Sequence, residues 1–427
     1  MFSSTVNIHS GMVSGVRKDN CVIFRGIPYA KADRFEMPKE YPSWSGVREC
    51  TQFGPACYQT LMPEDSFYGK EFYSTPERRP SFSEDCLNLN IWTPECNEKA
   101  KYPVAIWIHG GAFNHGFNWE VEFDGEAFCK RGVILVSINY RVGVWGFLAH
   151  SWLSQRSKDG ISGNYGIYDQ LFAIRWVKNN ISAFGGDPDS ITIMGQSAGA
   201  MSVQTLVSSP LTKGLIKGAI LQSGGGYNSI LNRDCTLETA EATGLEFTKS
   251  SGIGSNEQLM NTDCETLLSL QDQFEKKQKW LTFVPNIDGK LLTGGYNEAV
   301  ENGTILDIDY MIGSTLNDIA MGDGKRPLND AAVNWSLELE KLGRRGAYVY
   351  DFRRALPGDD AGAFHTAEVW YTFGTLGRCW RPFGKEDYEL SDTMTDDWTS
   401  FCRSGKPADK NWVPYTANEN CIRIYDI

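Results

Sequence analysis

The 427-residue sequence has no excess of positive charge, since 53 Asp and Glu residues outnumber 41 Lys and Arg residues and the net charge is −12. A protein that binds a nucleic-acid backbone needs a basic face, so we expect no nucleic-acid partner. Long apolar runs are missing as well. The longest, at residues 104–108 and 133–138, have the length of buried strands and not of membrane spans.

The first residues, MFSSTVNIHSG, lack the charged start and apolar core of a signal peptide. We therefore expect a cytoplasmic protein, with a secreted mature form as the alternative. The 11 cysteines are an odd number and are scattered, without a CxxC pair or a ligand-like spacing to histidine. This pattern predicts free thiols in a reducing compartment and neither a zinc site nor another metal site.

What the sequence does contain is 41% hydrophobic and 12% aromatic residues, which is typical of a compact globular protein. Continuous apolar runs alternate with longer amphipathic stretches, and this alternation predicts an α/β fold with a mostly parallel sheet and helices on both faces. We expect one domain, 1–427, with reduced helical cap-like insertions near 225–303 and 319–346. The predicted strands are 104–108, 133–138, 191–194, 219–222, 310–313 and 347–352, and the predicted helices include 167–182 and 390–401.

Residues 191–199 read ITIMGQSAG, an apolar strand that leads to Ser197 between two glycines, and a helical stretch follows. A tight strand-to-helix turn needs glycine on both sides of the serine because larger side chains would clash there. Such a turn exposes the serine hydroxyl and aims the first N–H groups of the helix at the site. The five-residue pattern alone is weak, and a glycine turn with an idle serine is the alternative. The flanking strand and helix favour a nucleophile.

A serine hydroxyl needs a base, and histidine titrates in the right range. In the α/β-hydrolase fold, which this turn resembles, the acid and then the histidine follow the nucleophile. Of the five histidines only His365 does so. The acid should follow a strand between them, and Asp318 lies shortly after 310–313. Three other aspartates remain as alternatives, namely Asp307, Asp309 and Asp323.

The run VAIWIHGGAF contains a buried strand that leads directly into a Gly-Gly turn. Acyl transfer builds negative charge on the carbonyl oxygen, and backbone N–H groups stabilise that charge. We expect the donors to be the amides of Gly111, Ala112 and Ala198. A plain glycine turn is the alternative, but it would not explain why the glycines follow the strand so closely. His109 is expected to brace this loop and not to act as the base.

Together these motifs resemble the type-B carboxylesterases, which include cholinesterases and bacterial para-nitrobenzyl esterases. The resemblance extends over nearly the whole chain, in the same order as in the family. It is carried by FRGIPYA, FGPACYQ, EDCLNLNIW, PVAIWIHGGAF, INYRVGVWGFL, GNYGIYDQ, FGGDP, GQSAGA, LQSGG, PNIDG and HTAEVWYTFG.

The resemblance implies the α/β-hydrolase fold, with Ser197 as nucleophile, Asp318 as acid and His365 as base. It also implies that Ser223 contacts the acid. Family members usually carry glutamate at the acid position, so the shorter aspartate requires a closer loop. Cys57 and Cys86 match positions that are often disulfide-bonded in secreted relatives, and the sequence leaves open whether they are bonded here.

Two departures from the family pattern are visible. Gln196 replaces a glutamate before the serine, so a buried charge is lost, and Gly110 and Gln196 are expected to support the reacting groups from behind. Only 47 positions separate Asp318 from His365, about half of the usual spacing. The missing segment normally walls the pocket, so we expect a wider, more exposed acyl or alcohol site.

These residues predict a serine carboxylesterase that forms an acyl-enzyme intermediate on a small-molecule ester, without a cofactor. Activity should fall at acid pH as His365 is protonated, near the ordinary histidine pKa of about 6.5. A narrower enzyme that releases feruloyl or acetyl groups from plant polysaccharide is the alternative within the same chemistry. A non-catalytic binding protein of the same fold is the competing class, but such proteins typically lose the serine. A homo-oligomer that covers the shortened wall is a further expectation.

Overall fold

The computed structural model describes residues 3–19, 21–73, 78–278, 280–319 and 324–427. Its centre is a 12-stranded sheet, and a separate pair, β4 and β5, lies beside it. The strands are β1 Ser3–Ile8, β2 Gly11–Lys18, β3 Cys21–Pro28, β4 Ala30–Lys31, β5 Lys39–Glu40, β6 Val47–Glu49, β7 Asn88–Thr93, β8 Tyr102–Ile108, β9 Ile134–Ile138, β10 Gly186–Gln196, β11 Gly218–Gln222, β12 Asp309–Thr315, β13 Tyr348–Phe352 and β14 Ile422–Tyr425.

The sheet has an antiparallel part and a parallel part. Its order is β1-β2-β3-β7-β9-β8-β10-β11-β12-β13-β14, with β6 beside β2. The pairs β1–β2, β2–β3, β3–β7 and β7–β9 are antiparallel. The pairs β9–β8, β8–β10, β10–β11, β11–β12, β12–β13 and β13–β14 are parallel. The predicted α/β-hydrolase architecture is therefore confirmed, and all six predicted strands are present with bounds shifted by a few residues.

The helices cover the sheet and its edge. They are α1 Phe67–Phe72, α2 Glu126–Lys130, α3 Gly143–Phe147, α4 Ser151–Arg156, α5 Tyr165–Asn180, α6 Ala198–Val207, α7 Leu237–Ser250, α8 Asn256–Asn261, α9 Cys264–Glu275, α10 Tyr296–Glu301, α11 Pro327–Lys341, α12 Ala367–Thr372 and α13 Lys385–Ser404. The predicted helix at 167–182 corresponds to α5, and the apolar stripe at 390–401 lies within α13. The segments 225–303 and 319–346 contain α7 to α11, as their helix-rich composition predicts.

Side chains of the central strands pack on both faces of the sheet. In β8, Ile106 and Ile108 belong to one apolar cluster, whereas Ala105 and Trp107 belong to a second cluster on the opposite face. This arrangement follows from the alternation of side chains along a strand. Because both faces are buried, β8 appears in the sequence as one continuous apolar run.

The carboxyl ends of the parallel strands meet at one edge, where ligands bind in open α/β sheets. The strand β8 ends at Ile108, just before the Gly-Gly turn, and β10 ends at Gln196, directly before Ser197. The strand β12 ends at Thr315, three residues before Asp318. The fold therefore places the predicted site residues at the same edge.

The described residues include no helix that is both long enough and apolar enough to cross a membrane. Within the same part of the chain, no group of three or more His, Cys, Asp or Glu side chains is arranged to hold a metal ion.

Candidate active site

Ser197 occupies the turn between β10 and α6 with φ +56° and ψ −124°. A positive φ is unfavourable for a residue with a side chain, and such strain persists only where the surrounding structure enforces it. The Ser197 amide donates to the carbonyl of Gln222 at 2.9 Å, and the Ser197 carbonyl accepts from Met201 at 2.9 Å. Strand β11 and helix α6 thus hold the turn in place.

The two glycines of the motif are required by close backbone contacts. A Cβ atom at Gly199 would lie 2.1 Å from the carbonyl oxygen of Ile108. A Cβ atom at Gly195 would lie 2.5 Å from the carbonyl group of Gly199. The crowding that the sequence pattern predicts is therefore present, and it lets α6 start directly against the end of β8.

His365 and Asp318 form a close pair. The His365 Nδ1 atom lies 2.5 Å from Asp318 Oδ1. The carboxylate also accepts the amide N–H groups of Thr315 at 3.0 Å and of Ile319 at 2.8 Å. Three donors thus fix Asp318, and Asp318 in turn fixes the imidazole ring.

The charges of this pair shift both pKa values. Burial opposes ionisation of His365, but the charge of Asp318 and its hydrogen bond outweigh it, so the pKa of His365 is raised above 6.5. Burial also disfavours the charged Asp318, yet the interaction with His365 outweighs it and lowers the pKa of the carboxyl. Asp318 therefore remains an anion at neutral pH.

The other nitrogen of His365 faces Gln196. The side-chain nitrogen of Gln196 lies 3.2 Å from His365 Nε2. Because the Nδ1 proton points at Asp318, Nε2 is the acceptor and the Gln196 amide is the donor. Ser197 Oγ has no hydrogen-bond partner among the described residues. Ser197 and His365 nevertheless line the same cavity.

The loop after β8 has a strained backbone and N–H groups that are unpaired among the described residues. Gly111, Ala112 and Phe113 have φ values of +102°, +53° and +64°, two of them at residues that carry side chains. The amides of Gly111, Ala112 and Ala198 donate no hydrogen bond within the described part of the chain. Ala198 is the first residue of α6, where the helix dipole adds positive potential.

His109 lies beneath this loop. Its ring stacks on Tyr140 with centroids 4.4 Å apart, and its Nδ1 lies 2.9 Å from the carbonyl oxygen of Gly110. The Tyr140 hydroxyl donates to the His109 carbonyl at 2.9 Å. Burial lowers the pKa of His109 to about 4, so the ring is neutral. These contacts agree with a bracing position.

Sequence reasoning did not assign Glu368, which is fully buried behind the pair. The hydroxyl of Ser223 donates to Glu368 Oε1 at 3.2 Å and contributes to the lowered pKa of Asp318. Burial, followed by repulsion from Asp318, raises the pKa of Glu368 to about 7. Its position in the first turn of α12, three residues after His365, was the sequence signal that could have indicated Glu368.

The rival acids lie elsewhere. Asp307 is 3.9 Å from Arg344, and Asp309 forms an ion pair with Arg345 at 2.5 Å. Asp323 lies outside the described residues. Of the described aspartates, the structure brings Asp318 to His365.

The cavity beside Ser197 has a volume of about 290 Å³. Its wall includes aromatic side chains from separate parts of the fold, and Trp280 and Ile319 come from the two predicted cap segments. Two buried glutamates, Glu120 and Glu122, also line it, and sequence reasoning did not identify them. The aromatic residues in the wall are Tyr68, Phe72, Tyr73, Trp107, Phe123 and Trp280.

The carboxylesterase family model matches residues 3–334 and 325–426. The para-nitrobenzyl esterase of Bacillus subtilis is 32% identical over 475 aligned positions, which cover 97% of this chain and 93% of the esterase. This chain belongs to the carboxylesterase family.

Other relatives support the same family assignment. The fumonisin B1 esterase of Sphingopyxis macrogoltabida is 42% identical, but the alignment covers 56% of this chain and 42% of that protein. A solved para-nitrobenzyl esterase structure superposes with a TM-score of 0.83 at 29% identity and covers 99% of this chain and 96% of that one. The structure of a Geobacillus stearothermophilus carboxylesterase superposes with a TM-score of 0.82 at 30% identity, and the coverage of both chains is the same.

Membership in this family makes the chain a carboxylic ester hydrolase, and the expected ester chemistry is confirmed. The competing prediction of a non-catalytic binding protein is therefore set aside. The family model matches in two pieces, whose junction at 325–334 falls between Asp318 and His365. This is where the sequence departs in length from the family pattern. Cys57 and Cys86 are both buried free thiols in the structure.

Proposed function

We propose that Ser197 is the nucleophile of this carboxylesterase, that His365 is its general base and that Asp318 orients the base. The 2.5 Å contact between His365 Nδ1 and Asp318 Oδ1 carries the proposal. It fixes the ring tautomer so that Nε2 carries the lone pair, in the same cavity as a strained, half-buried serine.

In the proposed reaction, Ser197 Oγ attacks the ester carbonyl carbon while its proton moves to His365 Nε2. The amides of Gly111, Ala112 and Ala198 donate to the oxyanion, and Gly110 and Gln196 support them from behind. The imidazolium then gives its proton to the departing alcohol, which leaves the acyl group on Ser197. Water, deprotonated by His365, hydrolyses this acyl-enzyme.

Gln196 must release the base for this step. In the structure its amide donates to His365 Nε2, the atom that has to accept the Ser197 proton. Catalytic hydrogen bonds often tighten only when substrate binds. The proposal therefore includes a turn of the Gln196 side chain away from Nε2 when an ester occupies the cavity.

The assignment is tested by steady-state hydrolysis of a neutral aryl ester. Ser197→Ala should lower kcat by about 10⁴-fold or more, because the nucleophile is lost. Ser208→Ala is the matched control, since Ser208 lies at the other end of α6 and is also buried. Near-normal activity of Ser197→Ala would exclude this nucleophile.

For the substrate we propose small esters with broad tolerance in the acyl or alcohol group. The cavity of about 290 Å³ and the short segment between Asp318 and His365 support this view. We also propose a single domain in which 225–303 and 319–346 act as caps, because Trp280 and Ile319 reach the cavity wall.

We propose further that the protein works in a reducing compartment such as the cytoplasm. All 11 cysteines are free thiols in the structure. Cysteines of this number in an oxidising compartment would normally be paired.

A further inference from the structure

Two buried acidic side chains share the cavity with Ser197. Glu120 and Glu122 are 6% and 2% exposed, and both line the cavity wall. They lie in the loop between the Gly-Gly turn and α2, away from Asp318 and His365 in the chain. The proposed reaction uses neither of them.

Their hydrogen bonds leave acceptor capacity unused. Glu120 accepts the hydroxyl of Tyr73 and an N–H group of Phe117. Glu122 Oε2 is buried and has no hydrogen-bond partner among the described residues. Neither glutamate forms an ion pair within the described part of the chain.

A buried carboxylate without a cation is costly, so such groups take up a proton or a positive partner. Burial raises the pKa of Glu120 to about 8, and burial together with the negative charge of Glu120 raises the pKa of Glu122 well above its ordinary value. Arg78 is near enough to oppose the shift of Glu122 but does not offset it. The pair is therefore short of positive charge.

The chemistry around the pair suits a cation. An ammonium group has three donors and no acceptor, which complements the unused acceptor capacity of the two carboxyl groups. Tyr73, Trp107 and Phe123 line the same cavity, and aromatic rings can attract cations. A hydroxyl group is the rival ligand, because Trp107 Nε1 is buried without an acceptor among the described residues.

We infer that Glu120 and Glu122 form a subsite for a primary ammonium group on the ester substrate. This inference rests on the proposed function, because Ser197 must cleave the ester that the subsite holds. A bound ammonium group takes the place of the proton that the two carboxyls otherwise retain. The enzyme is thereby directed toward amino-substituted esters.

The test compares three methyl esters of equal length, those of aminohexanoic, hydroxyhexanoic and heptanoic acid. An alcohol series with the same three end groups, as acetates, covers the other orientation. In at least one series kcat/KM for the ammonium ester should exceed that for the other two by about tenfold or more. Equal values, or a preference for the hydroxyl ester, would overturn the subsite.

Variants locate the effect. For each protein, kcat/KM for the ammonium ester is divided by kcat/KM for the neutral ester, and this ratio is compared between proteins. Glu122→Gln and Glu120→Gln should each reduce this ratio by about tenfold, since the amide keeps the shape and removes the charge. Glu126→Gln is the matched control, because Glu126 lies nearby in the chain but forms a surface ion pair with Lys18. It should keep the wild-type ratio. A wild-type ratio retained in both Glu120→Gln and Glu122→Gln would contradict the inference.

Competition on the wild type supplies a second measurement that needs no variant. Pentylammonium should inhibit cleavage of the neutral heptanoate ester at a concentration about tenfold lower than pentanol does. Equal inhibition would overturn the subsite while leaving ester cleavage intact. Failure to cleave any ester would instead overturn the proposed function, and the subsite with it.

Discussion

At the scale of single residues, the imidazole of His365 is held between two side chains of different character. Asp318 binds its Nδ1 and favours the protonated ring, whereas the neutral amide of Gln196 faces its Nε2. The sequence motifs predicted Ser197, His365 and Asp318, because order along the chain and position after a strand limit the choice. The contact of Gln196 with the base could not be predicted, since it depends on a side-chain rotamer.

The raised pKa of His365 determines the acid limb of the pH profile. The base must be neutral to accept a proton, so kcat/KM should fall as pH decreases through this pKa. Because Asp318 raises it, we expect the midpoint to lie above 6.5, higher than the ordinary value suggests. A pH–rate profile for a neutral ester measures this midpoint. A flat profile between about pH 5 and pH 8 would exclude His365 as the base.

Gln196→Glu should shift the acid limb of the pH–rate profile. A carboxylate near His365 Nε2 favours the imidazolium, so the midpoint should rise by about one pH unit. The control is Gln204→Glu, in which the same change is made within α6, where the Gln204 side chain contacts Gly226 and not His365. The comparison needs kcat/KM profiles of the three proteins. An unchanged midpoint in Gln196→Glu would show that Gln196 does not face the base in solution.

At the scale of elements, the site depends on the close approach of α6 to the end of β8. Periodicity predicted the buried strands and the long helices α5 and α13, because each shows a clear apolar pattern over its length. The antiparallel strands β1 to β3 were not predicted. Their burial is mixed, so they lack the continuous apolar run that revealed the central strands.

Gly199→Ala tests this approach. The added Cβ would meet the carbonyl oxygen of Ile108 at 2.1 Å, and backbone on both sides has to move. We expect the free energy of unfolding to fall by about 1–3 kcal/mol, together with a loss of activity. Urea denaturation followed by fluorescence measures the change. Gly254→Ala is the control, because the nearest atom to a Cβ there is Gln258 Oε1 at 3.9 Å, an ordinary contact, and equal stability of the two variants would contradict the packing argument.

At the scale of the whole molecule, the parallel part of the sheet brings residues that are far apart in sequence to one edge. The family motifs predicted this architecture over nearly the full chain. They did not reveal Glu120, Glu122 or Glu368, because an acidic side chain is normally solvated and only the folded structure shows its burial.

The oxidation state of the cysteines is a property of the whole molecule. If the protein works in a reducing compartment, all 11 cysteines should react with a thiol reagent after denaturation without reductant. Protein purified without added reductant is the sample, and the same protein after reduction is the control. A deficit of two thiols that reduction restores would show a disulfide and contradict the proposal.

Trapping of the nucleophile tests the central claim most directly. The protein is treated with a fluorophosphonate, which forms a covalent bond with an activated serine, and the adduct is located by peptide mass spectrometry. The structure predicts one adduct, at Ser197, which is lost in Ser197→Ala and slowed when His365 is replaced by alanine. An adduct on another residue, or full ester cleavage without any adduct at Ser197, would contradict it.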